Sequence, residues 1–374
     1  MATYKEQNKL NVPHLRFPEF HGEWEKCKLG DIAEFSTARV SSVKLDCKNY
    51  VSTENMLQDF QGVVEAKSVP NETNVISFTC GDILISNIRP YLKKVWKATF
   101  DGGCSSDVFV LQATDTVAKD YLHYAVANDK FINYVMSGAK GVKMPRGDKN
   151  QMRTYQLSLP SIQEQYKIAK LLTLLDERIA TQSKLIEKLE SLIKGLAHHC
   201  IRDFTNDCEY IRLGDISKIT TGKLDANAQV ENGQYPFFTC AERPFNIDSY
   251  AFDTEALLIS GNGANLGYIN YYKGKFNAYQ RTYVLDHFSV NIQYVKWALK
   301  VLLPQRIAIE KSSSNTPYIV LSTLADLKIP IPNNSKQNHI ANLMMSFEKK
   351  LSNQLALSDL YNKQKQYMLR QMFI

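Results

Sequence analysis

The 374-residue sequence is 44% hydrophobic and 22% charged, the balance of a folded chain with room for two or three domains. It holds no run of 18 apolar residues and opens on the polar Met1-Ala2-Thr3-Tyr4-Lys5-Glu6-Gln7, so neither a helical membrane span nor a secretion signal is expected. Seven cysteines, none in a CxxC pair, argue against a disulfide framework or zinc knuckle and fit the reducing cytoplasm, while a net charge of +7 permits nucleic-acid binding without requiring it.

A polar lead-in with Pro13 and Pro18 precedes a first globule, about Trp24 to Pro160. Apolar runs at Gly81–Ser86 and Asp107–Gln112 read as strands, and about Ala118–Met136 reads as one helix. Ser161-x-x-Glu164, directly after Pro160, is a capping box that opens a long helix. Its seam runs through Ile168, Leu172, Leu175, Ile179, Gln182, Ile186, Leu189, Ile193 and Leu196, with the alternating four-and-three spacing of a coiled coil. A second globule, about Tyr210 to Pro332, carries strand-like runs at Ala256–Ser260 and Thr282–Asp286 and a helix at about Val290–Leu303. A second long helix starts near Asn334-x-x-Gln337. Its seam of Ile340, Met344, Phe347, Leu351 and Gln354 weakens through Ser358, Tyr361 and Lys365. The expected domains are therefore residues 1–160, a helix at 161–200, a linker at 201–209, a second globule at 210–333 and a helix at 334–374.

The second half restates the first. Lys28-Leu29-Gly30-Asp31-Ile32 returns as Arg212-Leu213-Gly214-Asp215-Ile216, and Leu84-Ile85-Ser86 as Leu258-Ile259-Ser260. Gln165, Ile168, Ala169, Leu172 and Asp176 return 172 residues later as Gln337, Ile340, Ala341, Met344 and Glu348. A period near half the chain means two copies of a globule-plus-helix unit, an arrangement suited to a target with two halves. A long amphipathic helix cannot bury its stripe alone. Its partner is either the other helix, antiparallel within the chain, or a second chain in a coiled-coil dimer. Gln182 and Gln354 share a register and either fix alignment or are tolerated polar residues near a helix end.

Catalytic signatures are absent. There is no GxxxxGK[ST] loop and no Asn-Pro-Pro-Tyr or Asp-Pro-Pro-Tyr run. Gly261-Asn262-Gly263-Ala264-Asn265-Leu266-Gly267 follows a strand but opens onto Tyr268-Ile269-Asn270-Tyr271-Tyr272 and not a helix, so it reads as a loop with glycines at turn positions and not as a dinucleotide site. His198-His199 beside Cys200 reads as polar side chains at a helix end and not as a metal site. The chain looks like a binder. Lys140, Lys143, Arg146 and Lys149 stand in a glycine-punctuated loop that can approach a phosphate backbone closely. Arg89, Tyr91, Lys93, Lys94, Trp96 and Lys97 in copy one, and Tyr268, Tyr271, Tyr272, Lys273, Lys275 and Arg281 in copy two, interleave aromatic and basic residues, which suits nucleic acid by offering stacking beside phosphate neutralisation. A solvated surface with alternate aromatics buried in a strand is the other reading of each segment.

The opening Pro13-x-Leu15-Arg16-Phe17-Pro18-x-Phe20, Trp24-Glu25 and Lys28-Leu29-Gly30-Asp31-Ile32, with each Leu/Ile-Pro-x-x-x-x-Gln-x-x-Ile-Ala run leading into a long helix, resembles the specificity subunits of bacterial type I restriction–modification systems. The resemblance covers essentially the whole chain. It implies an α+β fold: two mixed α/β target-recognition domains in a pseudo-two-fold repeat, joined by two long antiparallel coiled-coil helices that act as a ruler. It implies double-stranded DNA as ligand, two methyltransferase subunits and restriction/translocase subunits as partners, no membrane, and no catalysis or cofactor in this chain. Adenine methylation, with S-adenosylmethionine, and translocation and cleavage, with ATP and Mg, would belong to the partner chains. The DNA-contacting residues expected on local chemistry are Ser86, Asn87, Arg89, Tyr91, Lys93, Lys94, Lys140, Lys143, Arg146 and Lys149 in the first globule. In the second they are Asn262, Asn265, Tyr271, Tyr272, Lys273, Arg281, Ser313 and Asn315. Copy two lacks the Leu-Arg-Phe-Pro lead-in and has the poorer seam. The competing readings are the recognition module of another restriction or methylation system, a coiled-coil scaffold with no DNA role, and a small-molecule enzyme.

Overall fold

The computed structural model describes residues 10–141, 143–203, 208–311 and 318–374. The chain divides into two compact units, one of residues up to Thr181 with Ser358–Ile374, the other Gln182–Leu357.

Unit one holds β1 (Glu25–Lys28), α1 (Leu29–Ile32), β2 (Ala33–Phe35), β3 (Arg39–Ser41), β4 (Tyr50–Val51), β5 (Asn74–Phe78), β6 (Ile83–Ser86), β7 (Val95–Lys97), β8 (Gly102–Cys104) and β9 (Val108–Ala113). Then come α2 (Lys119–Val126), α3 (Asp129–Ser137), α4 (Lys149–Arg153), β10 (Gln156–Leu159) and the start of α5 (Ile162–His198). Two four-stranded sheets, ordered β2-β9-β6-β7 and β3-β5-β8-β4, make the globule. β1 pairs antiparallel with β10 and so ties the globule's first strand to its last. Leu29, Tyr121, Leu122, Phe131 and Met152 fill the main core, joined by Ile168 and Leu172 of α5.

The sequence pattern predicts one helix over Ala118–Met136; the structure has two. Asn128 breaks the run. Its Oδ1 accepts from the Phe131 amide at 3.0 Å, and its Nδ2 donates to the carbonyls of Tyr124 and Ala125 at 3.1 and 2.7 Å. An asparagine side chain that serves the backbone on both sides caps one helix and starts the next.

Unit two continues α5 and adds β11 (Glu209–Arg212), α6 (Leu213–Ile216), β12 (Lys218–Thr221), β13 (Tyr235–Phe238), β14 (Phe245–Ile247), β15 (Phe252–Ser260), β16 (Ile269–Ala278) and β17 (Thr282–Asp286). It ends with α7 (Ile292–Lys311), α8 (Leu321–Ala325), β18 (Lys328–Ile331) and most of α9 (Asn334–Met372). One six-stranded sheet, β12-β17-β15-β16-β13-β14, replaces the two sheets of unit one, and β11 pairs with β18 as β1 does with β10. The expected stop of α7 at Leu303 is overrun: the helix passes through Pro304 to Lys311. Leu303 is fully buried and Ile307 packs against the same core, contacts that offset the bond the proline removes.

The duplicated motifs have matching structural duties. Leu29 and Leu213 donate their amides to the carbonyls of Tyr155 and Leu327 at 2.8 and 2.9 Å. A Cβ on Gly30 would come within 3.1 Å of Arg153 Cβ, and one on Gly214 within 3.3 Å of Ala325 Cβ, so each glycine admits the short helix that follows in its own unit. Buried Gln165 donates to the Pro160 carbonyl at 2.9 Å and accepts from the Ala118 amide at 2.8 Å. Buried Gln337 does the same with Pro332 and Asn291, at 2.8 and 3.0 Å. These glutamines close the backbone where globule and long helix meet. The expected capping box is only half made: Ser161 Oγ accepts from the Glu164 amide at 3.4 Å, but the buried Glu164 carboxylate is held by both arms of Arg16 at 2.8 Å.

Within each unit the long helices pair antiparallel, as rising numbers on one meet falling numbers on the other. In unit one Lys365 reaches Asp176 at 2.5 Å and Arg178 donates to the Tyr361 hydroxyl at 2.7 Å. In unit two Gln182 donates to the Gln354 carbonyl and side-chain oxygen at 3.0 and 2.8 Å. The helices therefore partner each other within the chain, and the two glutamines bond directly. Leu189, Ile193, Ile340 and Met344 share one core, with Leu196, Phe347 and Leu351 against it. Ile186 is buried on the same face, while Leu175 and Ile179 are half-buried. The weak end of the second seam is rescued by Met368, Leu369, Met372 and Phe373, which pack into the core of unit one.

Candidate nucleic-acid interface

In the first globule β6 ends at buried Ser86, whose hydroxyl donates to the Ile88 carbonyl at 3.1 Å. The chain then turns through Arg89 and Lys93, both with left-handed backbone, φ 50° and 54°. Lys140 and Arg146 exchange both backbone hydrogen bonds, at 3.1 and 2.9 Å, which closes the basic loop into a tight hairpin around Gly141, φ 96°. That hairpin docks on the end of β6. Arg89 donates its amide to the Pro145 carbonyl, and Gly147 its amide to the Asn87 carbonyl, each at 2.8 Å. The two basic segments predicted from sequence thus form one surface, on which Arg89, Tyr91, Lys140, Lys143 and Arg146 are exposed.

Other residues of the set are committed elsewhere. Lys93 pairs with Asp129 at 2.8 Å, and Lys94 donates to the Thr53 carbonyl at 2.5 Å, its pKa lowered by burial and by nearby Arg89. The Lys149 ammonium lies 4.7 Å from the Phe109 ring centre and 5.5 Å from that of Phe35, and burial and Arg153 lower its pKa. It is a cation on aromatic faces more than a free phosphate ligand. Ser86 and Asn87 are buried and shape the turn.

In the second globule β15 ends at buried Ser260. Gly261 donates its amide to the Arg281 carbonyl and accepts from the Ile319 amide, both at 2.8 Å, and Asn262 forms an antiparallel bridge with Tyr318. Asn262 accepts from the Cys240 thiol at 3.0 Å, and Asn265 donates to the Cys240 carbonyl at 3.0 Å. Arg281 is exposed, as are Tyr268 and Tyr318. The aromatic–basic run of β16 does not join this surface. Tyr271 donates to Glu255 at 2.6 Å and lies beside Lys296 of α7, Lys273 lies 3.6 Å from Glu255, and Tyr272 packs on the rings of Phe238 and Phe276. A strand alternates its faces, so consecutive residues cannot share one surface. Ser313 and Asn315 lie outside the described residues.

The two sites share a backbone frame. The amide of residue 87 or 261 bonds the carbonyl of residue 107 or 281, and the amide of 147 or 319 bonds the carbonyl of 87 or 261. Ile88 bridges Arg146 as Asn262 bridges Tyr318. Asp107 and Tyr318 therefore belong to the sites, and sequence reasoning missed both. The signal was available in the offsets: Ser86 leads to Ser260, and the same 174-residue step carries Asp107 to Arg281.

A family model described as the type I restriction modification DNA specificity domain matches residues 21–191 and again residues 205–357. The chain belongs to this family. Each specificity-domain match contains one copy of the frame. Among relatives of the specificity family, the type I restriction enzyme EcoDI specificity subunit of Escherichia coli is 44% identical over 135 residues, 36% of this chain and 30% of that protein. The MjaVIII specificity subunit of Methanocaldococcus jannaschii is 26% identical over 263 residues, 62% of this chain and 58% of that protein. The chain thus aligns with less than two thirds of the length of either. The crystal structure of a type I restriction–modification S subunit from M. genitalium superposes with a TM-score of 0.67 at 17% identity, covering 97% of this chain and 99% of that one, a likeness of fold. Among the described residues no group of His, Cys, Asp and Glu could hold a metal ion, and no helix is long and apolar enough to cross a membrane.

Proposed function

We propose that the chain is the DNA-reading subunit of a type I restriction–modification complex and is itself non-catalytic. Each globule reads one half of a split double-stranded target. The paired helices offer the surface on which methyltransferase subunits assemble, and restriction/translocase subunits join through them. S-adenosylmethionine, ATP and Mg act on those partner chains. The observation that carries this reading is the twofold family match, with an exposed arginine standing at the same backbone crossing in each copy.

The test is a salt titration of the full chain on a non-cognate duplex. Affinity should fall steeply with salt, because each neutralised phosphate contributes about 0.9 to the slope of log K against log salt. Changing Lys140 and Lys143 together to Ala should flatten that slope by about 2 units. An unchanged slope removes the hairpin from the interface, and a wild-type slope near zero removes DNA binding altogether.

A further inference from the structure

The shared frame carries unlike side chains, and their chemistry points at what each copy reads. In the first globule Asp107 holds Arg146 by one guanidinium N–H at 3.1 Å, and both stand on the crossing made with Asn87 and Ile88. The Arg146 side chain is 54% exposed, so the rest of its donor fork faces outward with its direction set by the carboxylate. Asp107 also lines a cleft of about 430 Å³ with Ser52, Thr53, Glu54, Asn55 and Ser105, so acceptors and hydroxyls stand on the carboxylate's side of the pair. In the second globule the position of Asp107 is filled by Arg281 and that of Arg146 by Tyr318. The arginine stands on the other strand of the crossing. Backbone space is tight there: a Cβ on Gly261 would lie 2.5 Å from the Arg281 carbonyl, so the arginine's backbone is pinned while its side chain is exposed.

A planar guanidinium matches the paired O6 and N7 acceptors of guanine in the major groove, and Asp107 fixes that of Arg146 in direction, whereas a lysine on a phosphate needs no such fixing. Resting on the DNA-reading function proposed above, we propose that Arg146 and Arg281 each read a guanine, one in each half of the target, from opposite sides of the same backbone crossing. Asp107 is the positioning residue of Arg146. Tyr318 leaves Arg281 a neutral neighbour at the crossing.

The experiment is selection of the full chain on a library of randomised duplexes, for wild type and for Arg146→Gln, Arg281→Gln and Asp107→Asn, each checked for an unchanged far-ultraviolet spectrum and melting transition. Wild type should select a bipartite sequence with guanine in each half. Arg146→Gln should lose about 5- to 150-fold of its preference at a single base pair and shift it toward adenine, which glutamine reads bidentately, with the other half untouched. Arg281→Gln should do the same in the other half alone. Asp107→Asn should blunt the guanine preference at the same base pair in the first half with an unchanged melting transition, which a merely structural role would not do; the lost negative charge should also tighten binding to non-specific duplex. If both glutamine variants keep guanine at both positions, or change both halves at once, the assignment is overturned. If wild type selects no consensus, the DNA-reading function itself fails and the assignment with it. A variant that loses its fold is replaced by Arg146→Lys or Arg281→Lys, which should keep the salt slope while weakening the same single guanine; an undiminished guanine overturns the assignment.

Discussion

The first globule places an Asp107–Arg146 pair where the second places Arg281 and Tyr318, yet the hydrogen bonds beneath them agree: 2.9 against 2.8 Å to residue 107 or 281, and 2.8 Å in both copies to residue 87 or 261. Sheet architecture differs as well, two four-stranded sheets against one of six strands. What repeats is backbone closure: the Leu-Gly-Asp-Ile turn, the buried glutamine at the head of each long helix, and buried tyrosines Tyr121 and Tyr294, whose hydroxyls donate to the carbonyls of Ser158 and Pro330. Buried amides and carbonyls must be paired whatever the target is, so the frame tolerates little change. Side chains on top of it are held only by what they touch. A fold of this kind can keep one scaffold while the side chains carried on it vary.

The largest expected break in the symmetry lies at the lead-in, which only the first copy has. Arg16 clamps the buried Glu164 carboxylate, so Arg16→Ala leaves that charge buried and alone and should cost about 3 kcal/mol in chemical unfolding. The second copy has no such clamp to lose. Next come the matched glutamines. Gln165→Ala and Gln337→Ala each orphan a backbone amide and a buried proline carbonyl, and each should cost about 2 kcal/mol. Equal losses would sharpen the repeat; a loss at one site alone would break it.

The smallest effect is a response to acid. Burial alone would raise the Glu348 carboxyl, but hydrogen bonds and charge from Lys296 and Lys300 outweigh it and hold the pKa below its ordinary 4.5. A carboxyl with a lowered folded pKa contributes stability above about pH 4.5 and loses it as pH falls through the lower folded value. Glu348→Gln should therefore remove part of the stability at neutral pH and flatten the acid limb of a stability–pH curve. An unaltered acid limb would leave the Lys296–Glu348 contact without net worth.

Much of the fold was legible because periodicity reports burial: both long helices and the strands around Ser86 and Ser260 follow from apolar spacing alone. The break at Asn128 was not, because one side chain serving three backbone groups outweighs a helical pattern. Nor was α7's passage through Pro304, where apolar contact beyond the proline decides. The candidate site was half legible. Charge clustering marked the hairpin, and loop closure then joined it to Arg89. It could not tell Lys149, turned onto Phe35 and Phe109, from Lys143, which is exposed. In copy two the run of aromatics was misleading, since strand alternation sends Tyr271 and Tyr272 to opposite faces, and the site assembles from Arg281, Asn262 and Tyr318.

If the two copies are separate readers on one frame, exchanging one lobe must change one half of the target and leave the other alone. Residues 28–159 would be replaced by the equivalent segment of a relative, and methylated positions mapped in a host carrying the exchanged chain together with the methyltransferase subunits of a type I system. One half of the methylated sequence should change while the other half stays as in wild type. A change in both halves, or in neither, would show that the two copies do not read separately.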